Sequence, residues 1–140
     1  MLRSMKLKRI NKVHFIGICG YLMSATAVIL KKMGYQVTGS DQGAYSPGSK
    51  VVDTAGIKWF KKYSPDNLNA SDLIVVGNHI RKENFEAQAA IKRGLSVISL
   101  PELIAEVFAD KKRIVVAGTH GKTTTTSLIA WLLEVGGLDP

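Results

Sequence analysis

Residues 12–34 read Lys-Val-His-Phe-Ile-Gly-Ile-Cys-Gly-Tyr-Leu-Met-Ser-Ala-Thr-Ala-Val-Ile-Leu-Lys-Lys-Met-Gly. Lys12 to Gly17 is an apolar, β-branched run, which predicts a strand. Gly17 to Gly20 supplies a tight turn. Leu22 to Met33 carries apolar residues at helical spacing and stops at Gly34, a residue suited to the left-handed position that follows a helix. A strand that enters a helix through a glycine turn is the opening unit of a parallel sheet with crossover helices.

The same alternation continues along the chain. Tyr35 to Gly39 predicts a second strand, a loop covers Gly43 to Gly48, and a short helix runs to Ala55. Gly56 turns the chain into a third strand, Ile57 to Phe60. Asp72 to Gly77 is almost continuously apolar, as expected of a strand buried on both faces. Asn84 to Arg93 predicts a helix closed by Gly94, Val97 to Ser99 a fifth strand, and Pro101 to Ala109 a helix with proline in its first turn. Arg113 to Ala117 and Thr123 to Val135 form one more strand–helix pair. The expected fold is α/β: a Rossmann-like parallel sheet with helices on both faces and right-handed crossovers. The polar link Asp110-Lys111-Lys112 marks a boundary. It separates a domain over residues 12–110, preceded by a basic tail at 1–11, from a second unit at 111–140.

Composition narrows the classes. The 46% hydrophobic and 21% charged residues are ordinary for a soluble domain. No apolar run approaches the ~20 residues that cross a bilayer, and the basic N-terminus leads into a strand rather than a signal peptide, so a cytoplasmic protein is expected. Cys19 stands alone, which excludes a disulfide framework or a thiolate metal cluster. The net charge of +8 is carried partly by Arg3, Lys6, Lys8, Arg9 and Lys12. No aromatic residues interleave with that tail and no nucleic-acid signature appears, so the charge reads as a solvated tail and a field favourable to phosphate-rich small ligands.

Three constellations carry chemistry. Gly17-Ile-Cys19-Gly20-Tyr-Leu-Met23-Ser24 sits where backbone N–H groups at a helix start can meet a diphosphate. It departs from G-x-G-x-x-G, having cysteine at 19 and leucine at 22. Gly39-Ser40-Asp41 ends the second strand, with Asp41 lying 24 positions beyond Gly17. That is near the ~20-residue offset at which a carboxylate meets a ribose diol, although an aspartate capping the next turn is an equal alternative. The third constellation is Gly118-Thr119-His120-Gly121-Lys122-Thr123-Thr124, after an apolar run and before a helix. It is a short form of the loop that cradles a nucleoside triphosphate: lysine neutralises phosphate and a hydroxyl binds Mg²⁺. Only residues 127–140 follow its threonines, so the domain behind it is expected to be truncated.

Single residues say less. His14, within a strand, reads as a satisfied core or edge histidine rather than a ligand. His120 fits its turn. Asn78, His79 and Arg81 follow the fourth strand at the sheet edge where open parallel sheets bind ligands, with loop polarity the plainer reading of His79. No histidine pair, nucleophile–base couple or metal-ligand spacing appears.

His14-Phe-Ile-Gly-Ile-Cys-Gly20, Met23-Ser24, Gly39-Ser-Asp41 and Ala117-Gly-Thr-His-Gly-Lys-Thr-Thr-Thr125 resemble the Mur ligase family, across almost the whole chain. The resemblance implies an ATP-dependent parent of three domains: one for the UDP part of UDP-N-acetylmuramate, one for ATP, one for the incoming amine. It implies an acyl phosphate on the muramoyl carboxylate, which an amine attacks to give an amide. Gly17, Cys19, Gly20, Met23, Ser24, Ser40, Asp41 and Asn78 would then lie around the UDP-sugar. Gly118, Thr119, His120, Gly121, Lys122, Thr123 and Thr124 would hold ATP, with Lys122 and Thr123 catalytic and Thr123 on Mg²⁺. Both the alanine-adding branch and the branch that reattaches a recycled tripeptide fit. Gly17-Ile-Cys-Gly20, Tyr45-Ser-Pro47 and Gly77-Asn78 favour the second, Met23-Ser24 the first. The fragment is expected to bind UDP-sugar and to be inactive alone, with no nucleic-acid or membrane partner. Competing readings are a nicotinamide-dependent oxidoreductase domain and a non-catalytic nucleotide-binding module.

Overall fold

A computed structural model describes residues 10–68, 71–138 and 140. The tail residues Arg3, Lys6, Lys8 and Arg9 lie outside the described residues. The chain divides into two compact units, one up to Ala109 and one from Asp110.

The first unit is built on β1 (Lys12–Ile16), β2 (Gln36–Ser40), β3 (Lys58–Phe60), β4 (Leu73–Val76) and β5 (Ser96–Ser99). They form one five-stranded sheet in the order β3-β2-β1-β4-β5, every pair parallel. The helices are α1 (Tyr21–Lys32), α2 (Gly48–Thr54), α3 (Phe85–Lys92) and α4 (Leu100–Val107), and a single 3-10 turn, Pro65–Leu68, lies between β3 and β4. From β1 the chain steps outward to β3. It then returns to start again at β4, on the other side of β1. Connections leaving β1 and β4 therefore diverge, and a crevice opens at their carboxyl ends.

Strand periodicity sorts the core. On β1, Val13 and Phe15 face one side with Ala27, Leu30, Val52, Leu73, Val75 and Leu103. Ile16 faces the other, with Ile74, Leu68, Ala87 and Ala90. Alternate residues of β1 and β4 are thus claimed by opposite helix layers, which is why both strands are nearly continuously apolar. The helix ends explain their boundaries. Asn84 accepts the amides of Glu86 and Ala87, both at 3.0 Å, and so begins α3. Ser99 and Glu102 form a reciprocal capping box, which lets β5 pass directly into α4. Gly34, at φ +91°, closes α1 in a conformation that side chains resist.

The second unit departs from expectation in one respect. Arg113 to Ala117 forms no strand: the segment pairs with no neighbour among the described residues, and Ile114 and Val115 are exposed. A strand exists only through a ladder partner, and an apolar sequence cannot supply one. Helix α5 (Lys122–Val135) does form, with Leu128, Trp131, Leu132 and Val135 exposed. Among the described residues no helix is long and apolar enough to cross a membrane.

Asp72 ties the sheet at its amino edge. Its Oδ2 accepts the amides of Asn11 and Lys12, each at 2.8 Å, and these bonds hold its carboxyl below the usual aspartate range. A depressed folded value means stability present above about pH 4 and lost as pH falls through the folded value. Asp72→Ala should lower the urea midpoint at pH 7, with the difference from wild type vanishing at low pH. Equal midpoints at pH 7 would remove Asp72 from this role.

Candidate functional site

The crevice holds a cavity of about 450 Å³, whose lining includes Gly17, Cys19, Gly20, Met23, Asp41 and Asn78. Its other walls come from Tyr45 to Gly48 and from Tyr63. Six of the eight residues expected around a sugar nucleotide are therefore brought together. The other two are not. Ser40 is fully buried and its hydroxyl has no partner among the described residues. Ser24 is buried and donates to the Tyr21 carbonyl at 2.9 Å. Both point into the protein because their strand and helix positions face the core.

The glycine turn does not offer its own amides. Gly17 and Ile18 donate to the Ser40 carbonyl at 2.8 and 3.1 Å, Cys19 donates to Asp41 Oδ2 at 2.9 Å, and Gly20 donates to the Gly17 carbonyl at 3.2 Å. The next amides, of Tyr21, Leu22 and Met23, have no partner among the described residues, and the first helical bond is made by Ser24. Gly20, the residue before α1, has no side chain to cap them. Three N–H groups without a described partner and the positive end of a helix dipole thus stand at the helix start whose residues Gly20, Tyr21 and Met23 line the cavity. Leu22, in place of a third glycine, is exposed and leaves this approach open.

Close packing shapes the turn. A Cβ on Gly17 (φ +88°) would meet the Ile80 side chain at 3.0 Å, and one on Gly48 would run into the Cys19 carbonyl. Glycine at these two places lets the loop after β4 and the start of α2 close on the turn.

Asp41 makes capping contacts and also lines the cavity. It is 7% exposed. Besides Cys19, its carboxylate accepts the Gly43 amide at 3.3 Å and stands 3.5 Å from the Tyr63 hydroxyl. Burial, then the Asp41 charge, pushes the Tyr63 phenol up to about 12. The Cys19 thiol is pushed up to about 11, first by burial and then by Asp41 and Asp53. Neither group ionises near neutrality, so neither offers an anionic nucleophile or base at neutral pH.

Tyr63 and Gln42 were not singled out by sequence; Lys62-Tyr63-Ser64 carries no motif. Both also border a second cavity of about 620 Å³, with His79, Arg81 and Phe85. His14 is a core histidine: fully buried, with Nε2 2.7 Å from Glu86 Oε1 and Nδ1 2.8 Å from Thr38 Oγ1.

In the second unit, Gly121 adopts φ +75° and Thr125 makes the first helical bond, to the Gly121 carbonyl. The amides of Lys122, Thr123 and Thr124 have no partner among the described residues. Lys122 Nζ donates to the Gly118 carbonyl at 2.7 Å and to that of Thr119 at 3.4 Å, folding the lysine over its own loop. Thr119, His120 and Thr123 are exposed. Such an end fits a phosphate chain, with the Thr123 hydroxyl free to join a cation held mainly by phosphate oxygens. No cluster of His, Cys, Asp or Glu among the described residues could bind a metal by itself.

The Cys19 assignment is testable. At pH 7.5 a thiol near 11 carries roughly a hundredfold less thiolate than an ordinary cysteine. Alkylation of the native chain should be slow by that order, rising with pH, and should become ordinary in denaturant. Alkylation of the folded protein at the free-thiol rate would contradict this environment.

The family model described as "Mur ligase family, catalytic domain" matches residues 12–112. The UDP-N-acetylmuramate–L-alanine ligase of Mesorhizobium japonicum is 43% identical over 131 residues, covering 94% of this chain. The chain spans 28% of that relative's length. A murein peptide ligase from Psychrobacter arcticus superposes with a TM-score of 0.82 at 37% identity, over 90% of this chain and 27% of its own. The UDP-N-acetylmuramate:L-alanyl-γ-D-glutamyl-meso-diaminopimelate ligase of Neisseria meningitidis gives 0.85 at 36% identity, over 91% and 40%. A sheet ordered around a glycine turn, and likeness along nearly its full extent, place this chain in the Mur ligase family.

Proposed function

We propose that residues 12–110 bind the UDP portion of UDP-N-acetylmuramate and that residues 111–140 begin the ATP-binding domain of an amide-forming ligase. The observation carrying this reading is the uncapped start of α1: the amides of Tyr21, Leu22 and Met23 have no partner among the described residues, and Gly20, Tyr21 and Met23 line a cavity of about 450 Å³ at the strand-order reversal. The two kinds of relative differ in the amine they join, but UDP-N-acetylmuramate is common to the names of the Mesorhizobium and Neisseria enzymes.

In this account the first-turn amides of α1 grip the diphosphate, and Asp41 holds the turn in shape rather than the ribose. Met23 and Asn78 wall the cavity. At the second glycine-led helix start, the amides of Lys122 to Thr124 would hold the phosphate chain of ATP, Lys122 would exchange its own loop carbonyls for phosphate oxygen, and the Thr123 hydroxyl would help hold Mg²⁺. Gly118, Thr119, His120 and Gly121 shape that loop. ATP supplies the phosphoryl group that activates the muramoyl carboxylate, and electrostatic stabilisation is the chief lever at such a site. The protein works in the cytoplasm within peptidoglycan precursor synthesis or recycling. By itself the 140-residue chain binds UDP-sugar without turning over ATP, because Arg113 to Ala117, leading into the second loop, joins no ladder among the described residues.

Calorimetric titration of the purified chain tests this. UDP-N-acetylmuramate should bind with a Kd of about 10 μM to 1 mM, roughly 4–7 kcal/mol. UDP should compete, and NADH should give no heat. Gly48→Ala, which forces α2 off the glycine turn, should weaken binding at least about tenfold. Absence of binding at millimolar UDP-N-acetylmuramate, or ATP turnover by the chain alone, would contradict the proposal.

A further inference from the structure

We infer that Glu86 is a positioning residue that sets the Tyr63 wall of the cavity through a buried array running from His14 to Ser64. The inference deepens the proposed nucleotide-sugar reading and rests on it for its functional consequence. Its geometric part stands independently.

Glu86 is the second residue of α3 and is fully buried, as is His14. A buried carboxylate is costly unless its lone pairs are used, and here both oxygens are used. Oε1 lies 2.7 Å from His14 Nε2. Oε2 accepts the Ser64 amide at 3.1 Å and the Asn67 side-chain amide at 3.3 Å. His14 passes the chain on to Thr38 Oγ1 at 2.8 Å. The array joins β1, β2, α3 and the loop before the 3-10 turn.

Three of these partners need no such help. Ladders and apolar packing already hold β1 and β2, and the Asn84 cap holds the start of α3. The loop between β3 and β4 has no ladder of its own. Leu68 anchors its far end in the core, and Ser64 and Asn67 tie its near end to Glu86, with Tyr63 the residue just before Ser64. Tyr63 faces both cavities and reaches Asp41, which in turn fixes the Cys19 amide. Glu86 therefore acts on the cavity through Ser64, without touching it.

Shape, not charge, is what this role needs. A glutamine at 86 can accept from Ser64 and Asn67 through its oxygen and donate to His14 Nε2, with the imidazole taking the other tautomer and Thr38 accepting from Nδ1. Replacing the whole pair by apolar residues of similar volume tends to preserve folding, while cutting the tie to Ser64. The two variants separate positioning from simple packing.

The test uses the 140-residue chain. In wild type, amide hydrogen exchange at Ser64 should be well protected relative to Lys61 and Lys62; exchange at the open-loop rate would overturn the inference without any variant. Glu86→Gln should keep that protection and wild-type affinity for UDP-N-acetylmuramate. The double variant His14→Leu with Glu86→Met should melt cooperatively, yet lose about tenfold in Ser64 protection and about tenfold in affinity, with no further loss when Tyr63→Ala is added. A double variant with Ser64 still protected and affinity unchanged would overturn it, as would Glu86→Gln failing as badly as the double variant. If wild type binds no UDP-sugar, the nucleotide-sugar reading falls, while the exchange data still decide whether Glu86 places this loop.

Discussion

Three backbone N–H groups at the start of α1 must find a partner, and the described residues provide none. Tyr21, Leu22 and Met23 donate to no described group, and Gly20 carries no side chain that could cap them. Water can satisfy these amides, but only an anion also gains from the helix dipole behind them. The strand order puts this end at the point where β1 and β4 send their connections apart, so it opens onto a cavity. What surrounds it serves to keep the end uncapped and open. The turn's own amides are spent on Ser40, Asp41 and Gly17, which stiffens it.

The two glycine-led helix starts are alike locally and unlike in support. Both begin a helix with three unpartnered amides after a glycine. The first is anchored in a five-stranded sheet and backed by Asp41. The second is held by Lys122 folded onto Gly118 and Thr119, with Arg113 to Ala117 outside any ladder. Local chemistry suffices to form the loop; long-range pairing is what gives such a loop a fixed place.

The sequence made the elements legible where periodicity and punctuation agree. Gly34 and Gly94 marked helix ends, and the apolar run at 72–77 marked a doubly covered strand. It also placed Gly17, Gly20, Met23 and Asn78 at one edge, because parallel sheets put their loops there. What depends on side-chain direction was not legible: Ser24 and Ser40 share motifs with cavity residues but are buried, and Asp41, open to both a capping and a ribose reading, lines the cavity while accepting the Cys19 and Gly43 amides. Tyr63 and Glu86 were invisible because their roles arise from contacts across distant segments, 22 residues apart for Ser64 and Glu86. The expected strand at Arg113 failed for the same reason: its partner is not encoded in its own residues.

The central claim is that the first turn of α1, not the glycine turn itself, receives the diphosphate. Amide NMR of the isotope-labelled chain during titration with UDP reports this directly. The account predicts that the largest shifts fall on the N–H groups of Tyr21, Leu22 and Met23, with Gly17 to Cys19 moving little because their bonds persist. Saturating UDP that leaves Tyr21 to Met23 unmoved while shifting other amides would contradict it.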